Sequence, residues 1–339
     1  MKFHRQPLKN ETPNGRFCVL AIGNFDGIHA GHQALIAVAQ DTARALNADC
    51  GVLTFSPHPQ AYFATLPSNL RGTPAPLQIN NFRSQMTQFA ALGLDVCHSL
   101  RFDAELASLT PEQFAAQVLR NRCKAVAVWV GVDFRFGAQR AGNVMTLREL
   151  GVRYGFSVHT LPDVTIAGQR TSSSQVRNAL LAGDMGTVQT LLQRPYSIFG
   201  HVLHGAKLGR TLGFPTLNID PKMKNPAARG IFVVKIEGLK NQNQSDFKDS
   251  QTERYGVASL GLRPALAGTA TGDKTGAGLR WLLEVNVFDW AGDAYGSLVN
   301  VTLLHKLRDE TDFAGLDALK IAIAQDVAQA RAWLQLKHS

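Results

Sequence analysis

The chain has 339 residues, 45% of them hydrophobic, and a formal net charge of +9, a length that favours two domains. Its apolar runs are too short for a membrane span, its polar start lacks the apolar core of a signal peptide, and its four scattered cysteines suit neither a zinc site nor a disulfide framework, which favours a reducing cytosol. The dispersed positive charge suits anionic small-molecule substrates, since it forms no basic run typical of nucleic-acid binding.

The first half of the chain alternates predicted strands with predicted helices. Apolar runs predict strands at 17–22, 52–55, 124–131 and 157–161. Helical patterns run through 35–46, 78–92 and 144–150, and helices also begin at Thr110 and at Ser172. This alternation predicts a Rossmann-like, doubly wound parallel sheet, and we assign residues 1–185 to this α/β domain.

Segment 23–32, GNFDGIHAGH, leaves the first predicted strand and opens a helix. A glycine-rich turn at a helix start attracts phosphate, and His29 and His32 add hydrogen-bond donors. On this segment alone, a plain turn with surface histidines is an equally good interpretation. Further polar residues share the same placement at strand ends or helix starts, where the loops of such a sheet gather on one edge. They are His58, Asp133, Arg135, Ser173 and Arg177.

Beyond a boundary near residue 186 the pattern changes to short strands separated by turns. Strands are predicted at 198–203, 230–237, 255–260, 281–288 and 297–304. With a terminal helix over 316–334, they predict a compact antiparallel β-barrel domain, 186–339. Two polar or glycine-rich stretches, 241–254 and 267–278, are predicted insertions.

Two features of the second half suggest chemistry. A basic loop with three glycines leads into Thr216 and Asn218, whose side chains lie on the same side of an extended chain and could bind Mg²⁺ together with nucleotide phosphates. The competing interpretation is a glycine-rich hairpin. Glu284 interrupts an apolar strand on the face opposite Leu283, either as a solvated residue or as a general base.

Four segments of the first half resemble, in order, motifs of the bacterial bifunctional riboflavin kinase/FMN adenylyltransferase (FAD synthetase) family. They are GNFDGIHAGH at 23–32, TFSPHP at 54–59, VGVDFRFG at 130–137 and SSSQVR at 172–177. The resemblance implies that the FMN phosphate attacks the α-phosphorus of MgATP and that pyrophosphate leaves. Two departures from the family pattern are Ala138, where Lys is common, and Asn143, where Asp is common.

The same resemblance implies roles for individual residues of the first half. His29 and His32 would bind the reacting phosphates, and Ser173, Ser174 and Arg177 would hold the β- and γ-phosphates. The remaining implied nucleotide-binding residues of this half are Gly23, Phe25, Gly31 and Asp133.

The second half resembles the riboflavin kinase module of the same family, in GRTLGFPTLN at 209–218, GVASLGLRP at 256–264 and the Leu-Glu-Val around Glu284. The resemblance implies that Thr216 and Asn218 are Mg²⁺ and ATP-phosphate ligands. It implies that Glu284 takes the proton from the ribityl 5′-hydroxyl of riboflavin as that oxygen attacks the γ-phosphate. Ala265 replaces the usual Thr. The implied phosphate-binding residues of the loop are Gly209, Arg210 and Gly213.

These observations predict a cytoplasmic enzyme that makes FMN from riboflavin and ATP in its C-terminal half and FAD from FMN and ATP in its N-terminal half. Mg²⁺ is the expected cofactor, with ATP as co-substrate; no nucleic acid, membrane or obligate protein partner is inferred. Two alternatives remain open: a chain in which only the adenylyltransferase step is active, and a non-catalytic module that binds flavin or RNA. The sequence does not predict the oligomeric state, the rates or how FMN passes between sites.

Overall fold

The computed structural model describes residues 1–6, 16–67, 74–166, 168–205, 213–239, 253–264, 278–290, 292 and 294–338. The chain forms two compact units. One consists of Met1–Pro76 and Gln85–Ser172, and the other of Leu77–Ser84 and Ser173–Ser339. The second unit therefore includes a short segment from the first half of the sequence.

The first unit is built on a six-stranded sheet in which all neighbouring strands are parallel. Its strands are β1 Lys2–Gln6, β2 Cys18–Ile22, β3 Asp49–Ser56, β4 Val96–Arg101, β5 Ala125–Gly131 and β6 Ser157–Leu161. Their order is β1-β4-β3-β2-β5-β6. Every residue of β2 is buried, as expected for a parallel strand covered on both faces. The predicted α/β class is confirmed.

Helices connect these strands. They are α1 Ala30–Leu46, α2 Pro59–Phe63, α3 Phe82–Ala91, α4 Ala104–Ser108, α5 Pro111–Gln113 with its π-helical continuation Phe114–Arg122, and α6 Val144–Tyr154. A short 3₁₀ turn, Ala138–Arg140, precedes α6, and a small hairpin of β7 Thr165–Ile166 and β8 Gln169–Arg170 follows β6. The predicted start at Thr110 is confirmed, because the Gln113 amide donates to Thr110 Oγ1 at 3.1 Å and the Thr110 amide donates to Gln113 Oε1 at 2.9 Å.

The sequence patterns do not predict two strands of the sheet, and they place the start of one helix too early. Strand β1 is polar and lies at the sheet edge, and β4 carries His98 and Ser99 among its buried residues, so neither shows a clear apolar run. The helix predicted over 78–92 begins at Phe82 instead, because Asn81 caps it: the Ser84 amide donates to Asn81 Oδ1 at 2.7 Å.

The second unit is a closed barrel of six antiparallel strands. Its strands are β9 Tyr196–Leu203, β10 Leu217–Ile219, β11 Gly230–Glu237, β12 Arg254–Pro264, β13 Leu279–Val287 and β14 Leu298–Arg308, in the order β10-β13-β12-β11-β14-β9. The predicted barrel is confirmed. The five predicted strands are present, and the sixth, β10, is only three residues long.

Among the described residues of this unit, three helices are present: α7 Ser173–Ala182, α8 Met185–Leu192 and α9 Leu316–His338. The predicted terminal helix is confirmed as α9, which packs Ala330 in a core cluster with Ile231, Val233 and Val257. Arg308 secures it with two hydrogen bonds to Asp326, at 2.8 and 2.7 Å.

Residues 77–84 contribute to the core of the barrel unit. The side chain of Ile79 is fully buried within the barrel's main hydrophobic cluster. The Tyr196 hydroxyl donates to the Ile79 carbonyl at 2.7 Å, and Asn81 Nδ2 donates to the Phe199 carbonyl at 2.6 Å. These contacts make the segment part of the second unit.

All four cysteines, Cys18, Cys50, Cys97 and Cys123, are buried and free of disulfides. Burial raises the pKa of Cys50, Cys97 and Cys123 to about 12, so these thiols stay protonated as small core side chains. Within the described residues, no helix is both long and apolar enough to cross a membrane.

His98 makes the first unit sensitive to acid. Burial, then His4 and Arg122, lowers the pKa of His98 from 6.5 to about 4, and its side chain is 4% exposed. Above pH 6.5 the imidazole of His98 is neutral in both the folded and the unfolded protein. As the pH falls through 6.5 the unfolded chain takes up the proton first, so stability is lost between pH 6.5 and 4. We expect a loss of about 2–3 kcal/mol by pH 4.5.

Urea unfolding at pH 7.5 and at pH 4.5 measures this loss. Hydrogen exchange of peptides from β3 and β4 serves as the probe for unfolding of the first unit. In His98→Gln the loss should shrink by that amount, whereas the exposed control His201→Gln should keep the wild-type pH dependence. An equal loss in His98→Gln and wild type would contradict the prediction.

Candidate active sites

The turn between β2 and α1 owes its backbone shape to two buried apolar side chains. Phe25 and Ile28 have φ angles of 52° and 45°, a conformation that costs about 1–3 kcal/mol in residues with side chains. Both belong to one hydrophobic core cluster and are 0% and 1% exposed. Burial of such side chains contributes about 1.5–3 kcal/mol each, which offsets the strain.

Hydrogen bonds from neighbouring elements fix the same turn. The Gly23 amide donates to the Leu53 carbonyl at 3.1 Å. Thr54 Oγ1 and Gln85 Nε2 both donate to the Asn24 carbonyl at 3.1 Å. The backbone groups of a turn that has left the sheet are thereby satisfied.

His29 and His32 are in contact at the start of α1. Their ring centroids lie 3.8 Å apart with 25° between the ring planes, and Phe25 packs on His32 at 5.0 Å. His29 occupies the N-cap position without a capping bond from its side chain and is 7% exposed. Two imidazoles thus adjoin a helix N-terminus, where the backbone dipoles favour negative charge.

Gly31 allows this close packing. A Cβ at Gly31 would lie 3.1 Å from His29 Cε1 and 3.1 Å from Thr171 Oγ1. Thr171 is buried and donates to the Val164 carbonyl at 3.0 Å. Any side chain at position 31 therefore displaces His29 or Thr171.

Asp133 lies in the loop after β5 and is exposed. Arg170 donates to Asp133 Oδ2 at 3.1 Å and forms an ion pair with Asp163 at 3.0 Å. The structure thus places Asp133 in an exposed cluster of charges built around Arg170, a residue that the sequence patterns do not identify.

The two residues that depart from the family pattern, Ala138 and Asn143, both form hydrogen bonds with backbone groups. The Ala138 amide donates to the Leu109 carbonyl at 2.7 Å. Asn143 caps α6 by accepting a hydrogen bond from the Thr146 amide at 3.0 Å. Because Asp and Asn cap helices about equally well, Asn143 preserves the start of α6.

Ser173, Ser174 and Arg177 belong to the second unit, on the first turns of α7. Arg177 Nε donates to the Leu77 carbonyl at 2.7 Å, so segment 77–84 anchors its guanidinium. The phosphate-binding roles of these residues stay predictions.

Four partly buried aromatic side chains cluster where β3 and β4 end, and the sequence patterns do not identify them. Phe102 contacts Phe55, Tyr62 and Phe63 at ring-centroid distances of 5.9, 5.5 and 5.7 Å. No spacing rule connects Phe102 with residues some forty positions earlier; only the parallel pairing of β3 and β4 brings them together.

The second unit contains a cavity of about 890 Å³ on the outer face of the barrel, between β10, β12, β13 and residues 309–313. Thr216, Asn218 and Glu284 all line it. Of the predicted loop residues, Gly213 has a φ of 88°, and Gly209 and Arg210 lie outside the described residues.

Strand pairing places three polar side chains in one row along this cavity. Asn218 pairs with Glu284, and Glu284 pairs with Ser259 on the next strand. Because Leu283 and Val285 are fully buried in the barrel core, alternation turns Glu284 outward to the cavity. Glu284 is thus half-buried at the wall of the cavity, and its role as a general base stays a prediction.

Arg263 contacts two carboxylates in this cavity, and the sequence patterns give it no role. Its Nε donates to Glu284 Oε2 at 2.7 Å, and its Nη2 donates to Glu310 Oε1 and Ser259 Oγ, both at 2.7 Å. Burial lowers the pKa of Arg263, but the hydrogen bonds to Glu310 and Glu284 outweigh burial and raise it. The guanidinium therefore stays charged.

Comparison with known proteins assigns both halves of the chain to families. The FAD synthetase family model matches residues 11–175, and the riboflavin kinase model matches residues 192–334. The bifunctional riboflavin kinase/FMN adenylyltransferase of Escherichia coli K12 is 37% identical over 94% of this chain and 93% of its own length. The enzyme of that name from Pseudomonas fluorescens is 38% identical over 96% of both chains.

The chain belongs to the bifunctional riboflavin kinase/FMN adenylyltransferase family. It carries both the FAD synthetase and the riboflavin kinase domain. A crystal structure titled as a macrolide-efflux protein from Streptococcus pneumoniae is 28% identical, covers 95% of this chain and 97% of its own, and superposes with a TM-score of 0.70. That likeness supports the fold of this family member.

Replacing Gly31 with alanine should displace His29, because the new methyl group would lie 3.1 Å from its ring. We expect FMN adenylylation by Gly31→Ala to fall about 10- to 100-fold, with riboflavin phosphorylation retained. Separate assays of the two steps measure this. Gly186→Ala in α8 is the control, since its Cβ meets only ordinary contacts, and equal adenylylation by both variants would contradict the prediction.

Proposed function

We propose that residues 186–339 phosphorylate riboflavin to FMN and residues 1–185 adenylylate FMN to FAD, with ATP as co-substrate of both reactions. One observation carries the proposal. Each part of the chain that a family model matches also contains the side chains that its reaction requires. The first has paired imidazoles at a helix start, and the second has a carboxylate and neutral oxygens along one cavity.

In the kinase reaction, Glu284 acts as general base. Its carboxylate accepts the proton of the ribityl 5′-hydroxyl while that oxygen attacks the γ-phosphorus of ATP and ADP leaves. Support comes from its place in the row between Asn218 and Ser259, since the row gives a carboxylate and two neutral side chains one common face. The aliphatic and aromatic lining of the cavity can exclude water from the reacting groups.

Thr216 and Asn218 fit a hard cation such as Mg²⁺. Both line the cavity and have neutral side-chain oxygens. Gly205 leaves space for the Asn218 amide, because a Cβ at position 205 would overlap that amide. Mg²⁺ bound there would neutralise phosphate charge. Gly209, Arg210 and Gly213 complete the proposed phosphate loop.

In the adenylylation reaction, the FMN phosphate oxygen attacks the α-phosphorus of ATP and pyrophosphate leaves. His29 and His32 donate hydrogen bonds to the reacting phosphates, and Gly23, Phe25 and Gly31 shape the turn that presents them. Ser173, Ser174 and Arg177 hold the β- and γ-phosphates, and Asp133 lies near the nucleotide. The packed histidine rings support this proposal, because two donors set side by side can serve neighbouring phosphate oxygens.

The aromatic cluster around Phe102 supports a flavin site in the first unit. Planar rings bury large apolar areas and prefer to pack against other rings. Since these residues are partly exposed, we propose that they receive the isoalloxazine ring of FMN. A cytoplasmic location is also proposed, supported by four buried thiols without disulfides.

Replacing His32 with alanine should abolish FAD formation while FMN accumulates, because the kinase site lies in the other unit. Purified full-length protein incubated with riboflavin and MgATP, followed by chromatographic separation of the flavins, measures both products. Undiminished FAD formation by folded His32→Ala would contradict the proposed adenylylation site.

Replacing Glu284 with glutamine should lower riboflavin phosphorylation about 100-fold or more, because the amide cannot accept the proton. Added FMN should still be converted to FAD at the wild-type rate, which reports on the folding of the protein. Wild-type kinase activity in Glu284→Gln would refute the assignment of the base.

A further inference from the structure

We infer that Arg263 is a positioning residue of the kinase reaction: it orients the carboxylate of Glu284 and, with the same guanidinium, fastens residues 309–313 over the cavity. The inference rests on the proposed function of Glu284 as base. It assigns a role to a residue that lies in the segment GVASLGLRP but takes no part in the proposed chemistry.

The geometry of the guanidinium is the first observation. Nε and Nη2 form one edge of the arginine fork. Nε donates to Glu284 Oε2 and Nη2 to Glu310 Oε1, each at 2.7 Å. One rigid, planar group thus holds both carboxylates, one from β13 and one from the segment that follows β14.

The site is also shaped to receive Glu310. A Cβ on Gly261 would overlap the Glu310 carboxylate, so strand β12 leaves room for that group. Ser259 Oγ donates to Glu310 Oε1 at 2.7 Å. Glu310 therefore occupies a defined position beside Arg263, which holds residues 309–313 at the cavity.

Other charged groups around the cavity are engaged elsewhere or are not in contact with Glu284. Arg308 is bonded to Asp326, and Arg229 stacks on Trp281 at 5.0 Å. Arg280 stands opposite Arg263 on β13 and, among the described residues, forms no ion pair. Within the part of the chain that the structure describes, Arg263 is therefore the cation that contacts the base.

The remaining acids that line the cavity are Asp309 and Asp312, beside Glu310. Asp309 pairs with Lys306 at 2.6 Å. The bond from Arg263 Nε to Glu284 Oε2 fixes the plane of the carboxylate. A fixed orientation is a large part of the efficiency of a general base.

The positioning role predicts a loss in kcat rather than in KM for riboflavin. In Arg263→Gln the carboxylate of Glu284 loses the group that orients it, so kcat should fall about 100-fold while KM stays within about twofold. In Glu310→Gln the bond from Arg263 to Glu284 remains, so kcat should fall less than in Arg263→Gln. Arg263→Lys keeps the charge but loses the planar fork, so kcat should fall about 10-fold.

The full-length enzyme with riboflavin and MgATP is used, and adenylylation of added FMN and the melting temperature are measured for every variant. Arg331→Gln is the matched control, since it removes an arginine–carboxylate pair with Asp289 elsewhere in the same unit, and it should leave kcat and KM unchanged. A wild-type kcat in Arg263→Gln, or a loss that appears in KM alone, would overturn the inference, as would kinase loss that follows the melting temperature alone. None of these outcomes touches the assignment of the base, which Glu284→Gln tests separately.

Discussion

The antiparallel pairing of β13 between β10 and β12 governs what the second unit can do. In that register Leu283 and Val285 fill the barrel core, and Glu284 faces the cavity between Asn218 and Ser259. A slip of one residue would exchange the two faces and bury the carboxylate. The free energy of burying the apolar side chains therefore also fixes the face of the strand on which the acid lies, and Arg263 then orients its carboxylate.

The first unit uses apolar burial in the same way. The turn that carries His29 and His32 contains two residues with positive φ, and their side chains are held in the core. A rigid backbone matters at a phosphate site because imidazoles that must reorganise during the reaction stabilise developing charge less well. In both units the reactive polar groups are therefore supported by side chains that take no part in chemistry.

Much of this could be predicted from the sequence because the signals are local. The capping box at Thr110, the strand-turn-helix around His29 and the outward face of Glu284 all follow from spacings within a few residues. The edge strand β1, the ring cluster around Phe102 and the pairing of Arg263 with Glu284 depend on partners far away in sequence. The alternation of apolar and polar residues in a strand predicts which face a side chain occupies, whereas the register of strand pairing determines which side chain it contacts.

Segment 77–84 limits how this protein can be divided. Its Ile79 fills a place in the barrel core, and its backbone accepts the hydroxyl of Tyr196. A kinase fragment that starts after the first half of the sequence would lack that side chain, and an emptied isoleucine site in a core costs about 2–5 kcal/mol. Chimaeras that exchange kinase modules between relatives must therefore transfer this short upstream peptide as well. The two units are therefore interleaved in sequence, so a single cut in the chain does not separate them.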